Sequence, residues 1–96
     1  MIQHTEITAD VYIYITRHRL IVKEEIDFMM LCRNSASFSS SKKITILFNT
    51  NTAAYLMAEG HIRDCGMMQY EVTDSGIELY NKLNKEVALI EELMKL

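Results

Sequence analysis

Histidine and cysteine side chains offer this sequence its widest range of chemistry, so their spacing is the first test for catalysis or metal binding. His4, His18 and His61 do not fall at H-x-x-x-H or H-E-x-x-H, the spacings that place two imidazoles on one helix face around zinc. The positions of Cys32 and Cys65 do not complete a zinc site with these histidines. The sequence also has no G-x-S-x-G turn, P-loop or paired-glycine motif. We therefore predict no enzymatic activity, no metal site and no cofactor.

The two cysteines also bear on the compartment in which the chain works. They form no CxxC pair, and a small secreted scaffold held by disulfides usually carries four or more cysteines. We predict that both are reduced thiols, buried or half-buried. The longest apolar runs, residues 11–15 and 87–90, are shorter than the roughly 20 residues that cross a bilayer. Residues 1–6 turn polar and acidic too early for a signal peptide. The expected location is the cytoplasm, or the host cytoplasm for a viral protein, with no membrane partner.

Length and composition predict one folded domain over residues 1–96. The chain has 96 residues, 49% of them hydrophobic and 24% charged, which is too short for two cores and too apolar for disorder. Its net charge is −3, divided into +1 over residues 1–63 and −4 over residues 64–96. This total opposes binding to nucleic acid, so any attraction for phosphate must come from the first two-thirds of the chain.

Apolar spacing predicts two helices in the first third of the chain. The first begins near Thr8, and one of its faces is made of Ile7, Val11, Tyr14, Ile15 and His18. The β-branched residues within 11–15 would also suit a strand, and that alternative stays open. A short extended segment over 20–22, a helix from Lys23 to about Arg33 and a serine-rich loop over 35–41 follow.

Residues 42–59 fit more than one structure. A continuous helix would separate an apolar face from a polar face that carries Lys42, Thr45, Asn49 and Thr52. Leu56 falls on the polar face of that helix, which leaves two alternatives open. The helix breaks near residues 49–51 and restarts, or residues 44–48 form a strand. Gly60 is a suitable residue to end the segment.

The last third of the sequence predicts a β-hairpin followed by a long helix. Residues 61–65 and 67–72 flank Gly66, and Met68, Tyr70 and Val72 alternate onto one face. Thr73 or Ser75 can cap the final helix, since Ser75 with Glu78 matches the S-x-x-E capping box.

Two stretches, residues 56–62 (LMAEGHI) and residues 70–80 (YEVTDSGIELY), resemble motifs of the winged helix-turn-helix superfamily, which includes MarR-like and PadR-like regulators and small archaeal and viral relatives. Residues 56–62, LMAEGHI, resemble the L-x-x-x-G-L-I pattern at the end of its recognition helix. Residues 70–80, YEVTDSGIELY, resemble the Y-x-L-T-x-x-G-x-x-L pattern that closes the wing, with Val72 in place of the usual leucine. The resemblance implies an α+β, mainly α fold: a winged helix-turn-helix with a two-stranded wing and a long C-terminal helix. In that fold Thr73 caps the last helix, Gly76 permits close packing and Tyr70 seals the hairpin.

The same resemblance implies double-stranded DNA as a partner. Family members place the helix before the glycine in the major groove, where side chains contact phosphates and base edges. Carried onto this chain, the candidate DNA-binding residues are Ser40, Ser41, Lys42, Lys43, Thr45, Asn49 and Thr52, with Arg63 in the wing and Arg17 and Arg19 beside it. Only one cation lies in the hairpin, together with Asp64 and Glu71, so we do not expect the wing to enter a groove.

Apolar residues along the C-terminal helix, residues 74–96, predict a homodimer. Tyr80, Leu83, Val87, Ile90 and Met94 recur at intervals of three and four. A helix of about 20 residues, roughly 30 Å long, should overhang so small a domain and pair with a second copy. On this hypothesis Val87→Asp yields a folded monomer.

The sequence therefore predicts a dimeric winged-helix DNA-binding protein, a small transcriptional regulator of a prokaryote or one of its viruses. The alternative is a winged-helix protein-binding module, such as a viral protein that binds and inhibits a host factor. Surface charge separates the two. A DNA binder needs its cations on one continuous face, whereas a protein binder has that face broken by acidic residues or replaced by apolar ones.

Overall fold

A computed structural model of the chain describes residues 7–47 and 50–95. Within these residues the fold is α+β and mainly helical, as predicted. The helices and strands are α1 (Ala9–Arg17), α2 (Lys23–Asn34), α3 (Phe38–Ser41), β1 (Lys43–Thr45), α4 (Thr50–Ala58), β2 (Ile62–Gly66), β3 (Gln69–Val72) and α5 (Asp74–Met94). Among the described helices, none is both long and apolar enough to span a bilayer.

The three strands form one antiparallel sheet in the order β1-β3-β2. Ile44 lies opposite Tyr70 and Ile62 lies opposite Val72, so one face of the sheet is apolar and buried. The β2–β3 hairpin confirms that residues 61–72 form a hairpin, but the turn lies at Met67 and Met68 and not at Gly66, which ends β2. β1 adds a third strand to the two that the winged-helix resemblance implies, and it lies at an edge of the sheet.

Between Lys42 and Glu59, the continuous helix is wrong and the alternatives are confirmed in part. Lys42 has φ +58, a left-handed conformation that ends α3. Ile44 and Ile46 are buried and Thr45 is exposed, the period of two that a strand shows. A helix restarts at Thr50, and it buries Leu56 completely. Ile44 and Thr45 are β-branched and therefore suit a strand, and β3 supplies the backbone groups with which this strand pairs.

Capping residues explain where α1 and α5 begin. The Thr8 hydroxyl accepts a hydrogen bond from the amide of Val11, and the Thr73 hydroxyl accepts one from the amide of Gly76. The helix prediction for α1 is therefore confirmed, and Thr73 rather than Ser75 caps α5. Ser75 instead lies 2.8 Å from His61 Nδ1, measured from its Oγ. Residues 20–22, predicted to be a short extended segment, pair with no strand, although Val22 has an extended backbone with φ −71 and ψ 150. They follow a turn that ends α1, where the Leu20 amide donates to the Ile15 carbonyl.

The core lies between the helices and the buried face of the sheet. α2 contacts α4, α5 and β1, while α5 contacts α1, α2 and β3. The Arg33 guanidinium links α2 to α5 through two hydrogen bonds to Asn84 Oδ1, at 3.0 Å from Nε and 2.6 Å from Nη2. The ring of Phe38 contacts the ring of Tyr80 edge-on, with 5.0 Å between the centroids.

The apolar residues of α5 that were predicted to form a dimer interface belong largely to this core. Leu83, Val87 and Ile90 are buried against their own chain, Tyr80 is half-buried and Met94 is exposed. Placing the first three at a subunit interface is therefore wrong. The end of α5 also does not project freely as expected, because Met94 lines a cleft with Asp10 and Arg17 of α1.

Candidate interaction surface

Five of the predicted DNA-binding residues meet where α3 runs into β1: Ser40, Ser41, Lys42, Lys43 and Thr45. The hydroxyls of Ser40 and Ser41 both donate to the carbonyl of Ser37, at 3.3 and 2.9 Å. Lys42 is exposed and Lys43 is half-buried. The two serine hydroxyls are thus used within α3, and Lys42 is the most accessible cation at this corner.

An acidic side chain interrupts the cations on the outer face of the sheet. Glu71 on β3 lies between Lys43 on β1 and Arg63 on β2 in the strand register. Its carboxylate forms a salt bridge with Arg63. Because side chains at paired positions lie on one face of a sheet, Glu71 separates the two cations and leaves this row of three residues with a net charge of +1.

The exposed face of α4 is uncharged. It consists of Thr50, Asn51, Ala54, Met57 and Ala58. Thr52, predicted to contact DNA, is buried and donates a hydrogen bond to Asp27 Oδ2 at 3.2 Å, so its assignment to the DNA site is wrong. Asn49 lies outside the described residues. Thr50 and Asn51 were missed because Ile44 and Leu47, which lie outside α4, were used to decide which face of the helix is buried.

Acidic residues surround the inner side of α4. The Tyr55 hydroxyl donates to Glu25 Oε2 at 3.0 Å. Burial, followed by the hydrogen bond and charge of Glu25, raises the pKa of Tyr55 to about 12, with further contributions from Glu59 and Glu24. The carboxylates near Tyr55 on α4 are therefore those of Glu25, Glu59 and Glu24, a charge that does not favour phosphate.

The remaining predicted cation on a helix lies far from the sheet. Arg17 lines a cleft with Asp10 and Met94, at the C-terminal end of α5, whereas the hairpin joins the N-terminal end. About 32 Å of helix separates the two ends. Arg19 follows α1 two residues later with φ +53. The predicted cations do not form one continuous face.

The hairpin ends in two exposed methionines with an uncommon backbone. Met67 is 96% exposed and Met68 is 55% exposed. Their φ angles are +56 and +63, and positive φ at both central residues is the signature of a type I′ turn, which favours Asn-Gly. Bulky side chains in this region are uncommon and cost about 1 to 2 kcal/mol each. We call Met67 and Met68 the apolar tip.

An apolar groove lies next to this tip. It has a volume of about 390 Å³ and runs between α2 and β1, lined by Asp27, Met30, Leu31, Asn34, Thr45, Ile46 and Leu47. We call it the α2–β1 groove. The Ile46 amide donates to the Met68 carbonyl at 3.0 Å, so the groove and the tip share one end of the sheet. Leu47, 57% exposed, continues the apolar surface between them.

The two cysteines occupy different environments. Cys32 is buried in α2, where desolvation raises its pKa to about 12, while Cys65 is exposed on β2. Both are free, although Cys65 is not buried as predicted.

Comparisons with models of protein families, with curated protein sequences and with solved structures found no match.

Native protein at pH 8 is expected to expose one fast-reacting thiol to Ellman's reagent, and the second only after unfolding. Cys65→Ser should remove the fast phase, and Cys32→Ser should leave it unchanged. Between pH 9 and about 12 the native Cys32 thiol holds its proton while the unfolded one loses it, so stability should fall as pH rises through this window. Two fast thiols in folded protein would contradict the placement of Cys32.

Proposed function

We propose that the chain is a winged-helix domain that works as a protein-binding module, with the apolar tip as its main contact. The β2–β3 hairpin between α4 and α5 supports the winged-helix assignment, as does Gly76, whose position leaves no room for a side chain against His61 and Val72. One feature departs from the pattern. β1 lies between α2 and α4, where a helix-turn-helix has only a short turn.

The apolar tip is the observation that supports protein binding most directly. Two methionines occupy turn positions that suit Asn-Gly, and strained positions of this kind cluster at functional sites. Methionine is flexible and polarizable, which suits it to irregular apolar surfaces. The surface charge points the same way, because Glu71 interrupts the cations of the sheet and the exposed face of α4 carries none.

The second candidate function is the binding of duplex DNA by a dimer. The exposed Lys42 is the observation that favours it. This lysine keeps a left-handed conformation that glycine would adopt more easily, and it is exposed next to Ser40 and Ser41. Binding of this kind has a distinct signature, because each phosphate neutralised lowers log affinity by about 0.9 per unit of log salt.

Site-specific photo-crosslinking from position 67 tests the proposal. With a photoreactive residue in place of Met67, irradiation of cells is expected to yield adducts that are larger than the chain and that nuclease does not shorten. The same residue in place of exposed Asn81 on α5 is the control and should yield far fewer. Nuclease-sensitive adducts, with binding to duplex DNA that weakens with salt, would favour the second candidate. Equal yields from both positions would overturn the role of the tip.

A further inference from the structure

We infer that the apolar tip binds the α2–β1 groove of a second copy of this chain. This inference rests on the proposed protein-binding function and names its partner. Two copies related by a two-fold axis would each insert Met67 and Met68 into the groove of the other. The dimer interface thus lies at the end of the sheet that carries the tip and the groove, and not on the apolar face of α5.

The positions of tip and groove fit a two-fold interface. Such an interface brings the same surface patch of both subunits together, so the patch must contain both a projection and a cleft that receives it. The hydrogen bond between the Ile46 amide and the Met68 carbonyl fixes the tip beside β1, and β1 forms one wall of the groove. An axis close to Leu47 would place each tip over the opposite groove.

The chemistry of the two surfaces matches as well. Met30, Leu31, Ile46 and Leu47 make the groove apolar, and the tip brings two unbranched side chains that adapt to irregular spaces. Neither methionine carries a charge, so burying them in the groove leaves no charge without a partner. Asp27 lines the groove, and its carboxylate accepts a hydrogen bond from Thr52.

The edge position of β1 adds backbone groups to the same surface. The Lys42 carbonyl and the Ile46 amide bond to β3, so alternation along the strand turns the amide and carbonyl of Thr45 away from β3. An unpaired strand edge is a template for another chain. The Lys43 carbonyl is already occupied, since the hydroxyls of Ser35 and Ser37 donate to it at 3.0 and 3.2 Å. This capping confines pairing with a partner to the Thr45 end, next to the groove.

Sedimentation equilibrium over about 1 to 500 µM protein tests the inference. The wild type is expected to show a reversible monomer–dimer equilibrium. Met67→Asn combined with Met68→Gly should weaken it at least tenfold while raising the melting temperature, because Asn-Gly is the preferred type I′ sequence. Leu47→Asp should weaken it from the groove side. Leu89→Asp, on an equally exposed part of α5, is the matched control and should leave it unchanged.

Mixing the two weakened variants gives a sharper result. A mixed dimer retains one intact contact, from the unchanged tip of the Leu47→Asp chain to the unchanged groove of the tip variant. Association in the mixture should therefore exceed that of either variant alone. A wild type that stays monomeric at the highest concentration, or a dimer that neither change weakens, would overturn the inference. In that case, adducts from position 67 to a different protein would leave the proposed function standing, and their absence would remove both.

Discussion

Val87→Asp is expected to unfold the protein instead of separating two subunits. Val87 is 0% exposed at the middle of α5, within a core that includes Ile15 and Phe28. A buried carboxylate without a partner costs about 3 to 5 kcal/mol, and a domain this small has a free energy of unfolding near the lower end of about 5 to 15 kcal/mol. Far-ultraviolet circular dichroism with urea titration should show a largely unfolded variant.

Leu89→Asp is the control for this change. Leu89 lies two residues further along the same helix and is 66% exposed, so an added carboxylate there stays hydrated. The free energy of unfolding should change by less than about 0.5 kcal/mol. A Val87→Asp chain that remains folded and becomes monomeric would restore the interpretation of the α5 stripe as a dimer interface.

Gly76→Ala should destabilise the junction between the hairpin and α5 by about 3 kcal/mol, a severe overpacking effect. A Cβ at this position would collide with the carbonyl oxygen of His61 and lie 2.7 Å from Val72 Cγ1. Neither can move easily, because the His61 carbonyl accepts a hydrogen bond from the Thr73 amide and Val72 is buried on β3. Thermal denaturation should show a melting temperature lower by more than about 10 °C.

Gly60→Ala separates this collision from the conformational effect of losing a glycine. A Cβ at position 60 would have no atom within 4 Å, although the residue has φ +77. The expected loss is therefore only the backbone strain, about 1 kcal/mol. If the two substitutions destabilise the protein equally, close packing at Gly76 is not the cause.

Local signals account for the parts of the fold that the sequence predicted. The hairpin follows from Gly66 between alternating residues, and α5 follows from the Thr73 cap and a regular apolar period. Periodicity shows that one face of a helix is buried, but it does not show what buries it. Leu83, Val87 and Ile90 were therefore assigned to a partner, whereas α1 and α2 cover α5. β1 was left ambiguous because its partner, β3, lies more than twenty residues further along the chain.

The candidate surface was less predictable than the fold. The count of charges along residues 61–72 already showed that the hairpin is not basic, but the salt bridge between Arg63 and Glu71 depends on the register of β2 and β3, which counting does not reveal. The left-handed turn at Met67 and Met68 contradicts their residue preferences, and no local rule predicts it. A signal was present in the sequence, since two adjacent methionines next to Gly66 are an unusual choice for a hairpin turn.

The pairing of β1 with β3 sets an order of assembly for the domain. The β2–β3 hairpin joins neighbouring segments, so it closes a short loop and can form early. β1 must close a much longer loop that contains α4 and β2, and only three residues on one edge hold it. We therefore expect β1 to join the sheet last during folding and to detach first in partial unfolding. One wall of the α2–β1 groove therefore depends on a short strand whose partner lies far along the chain.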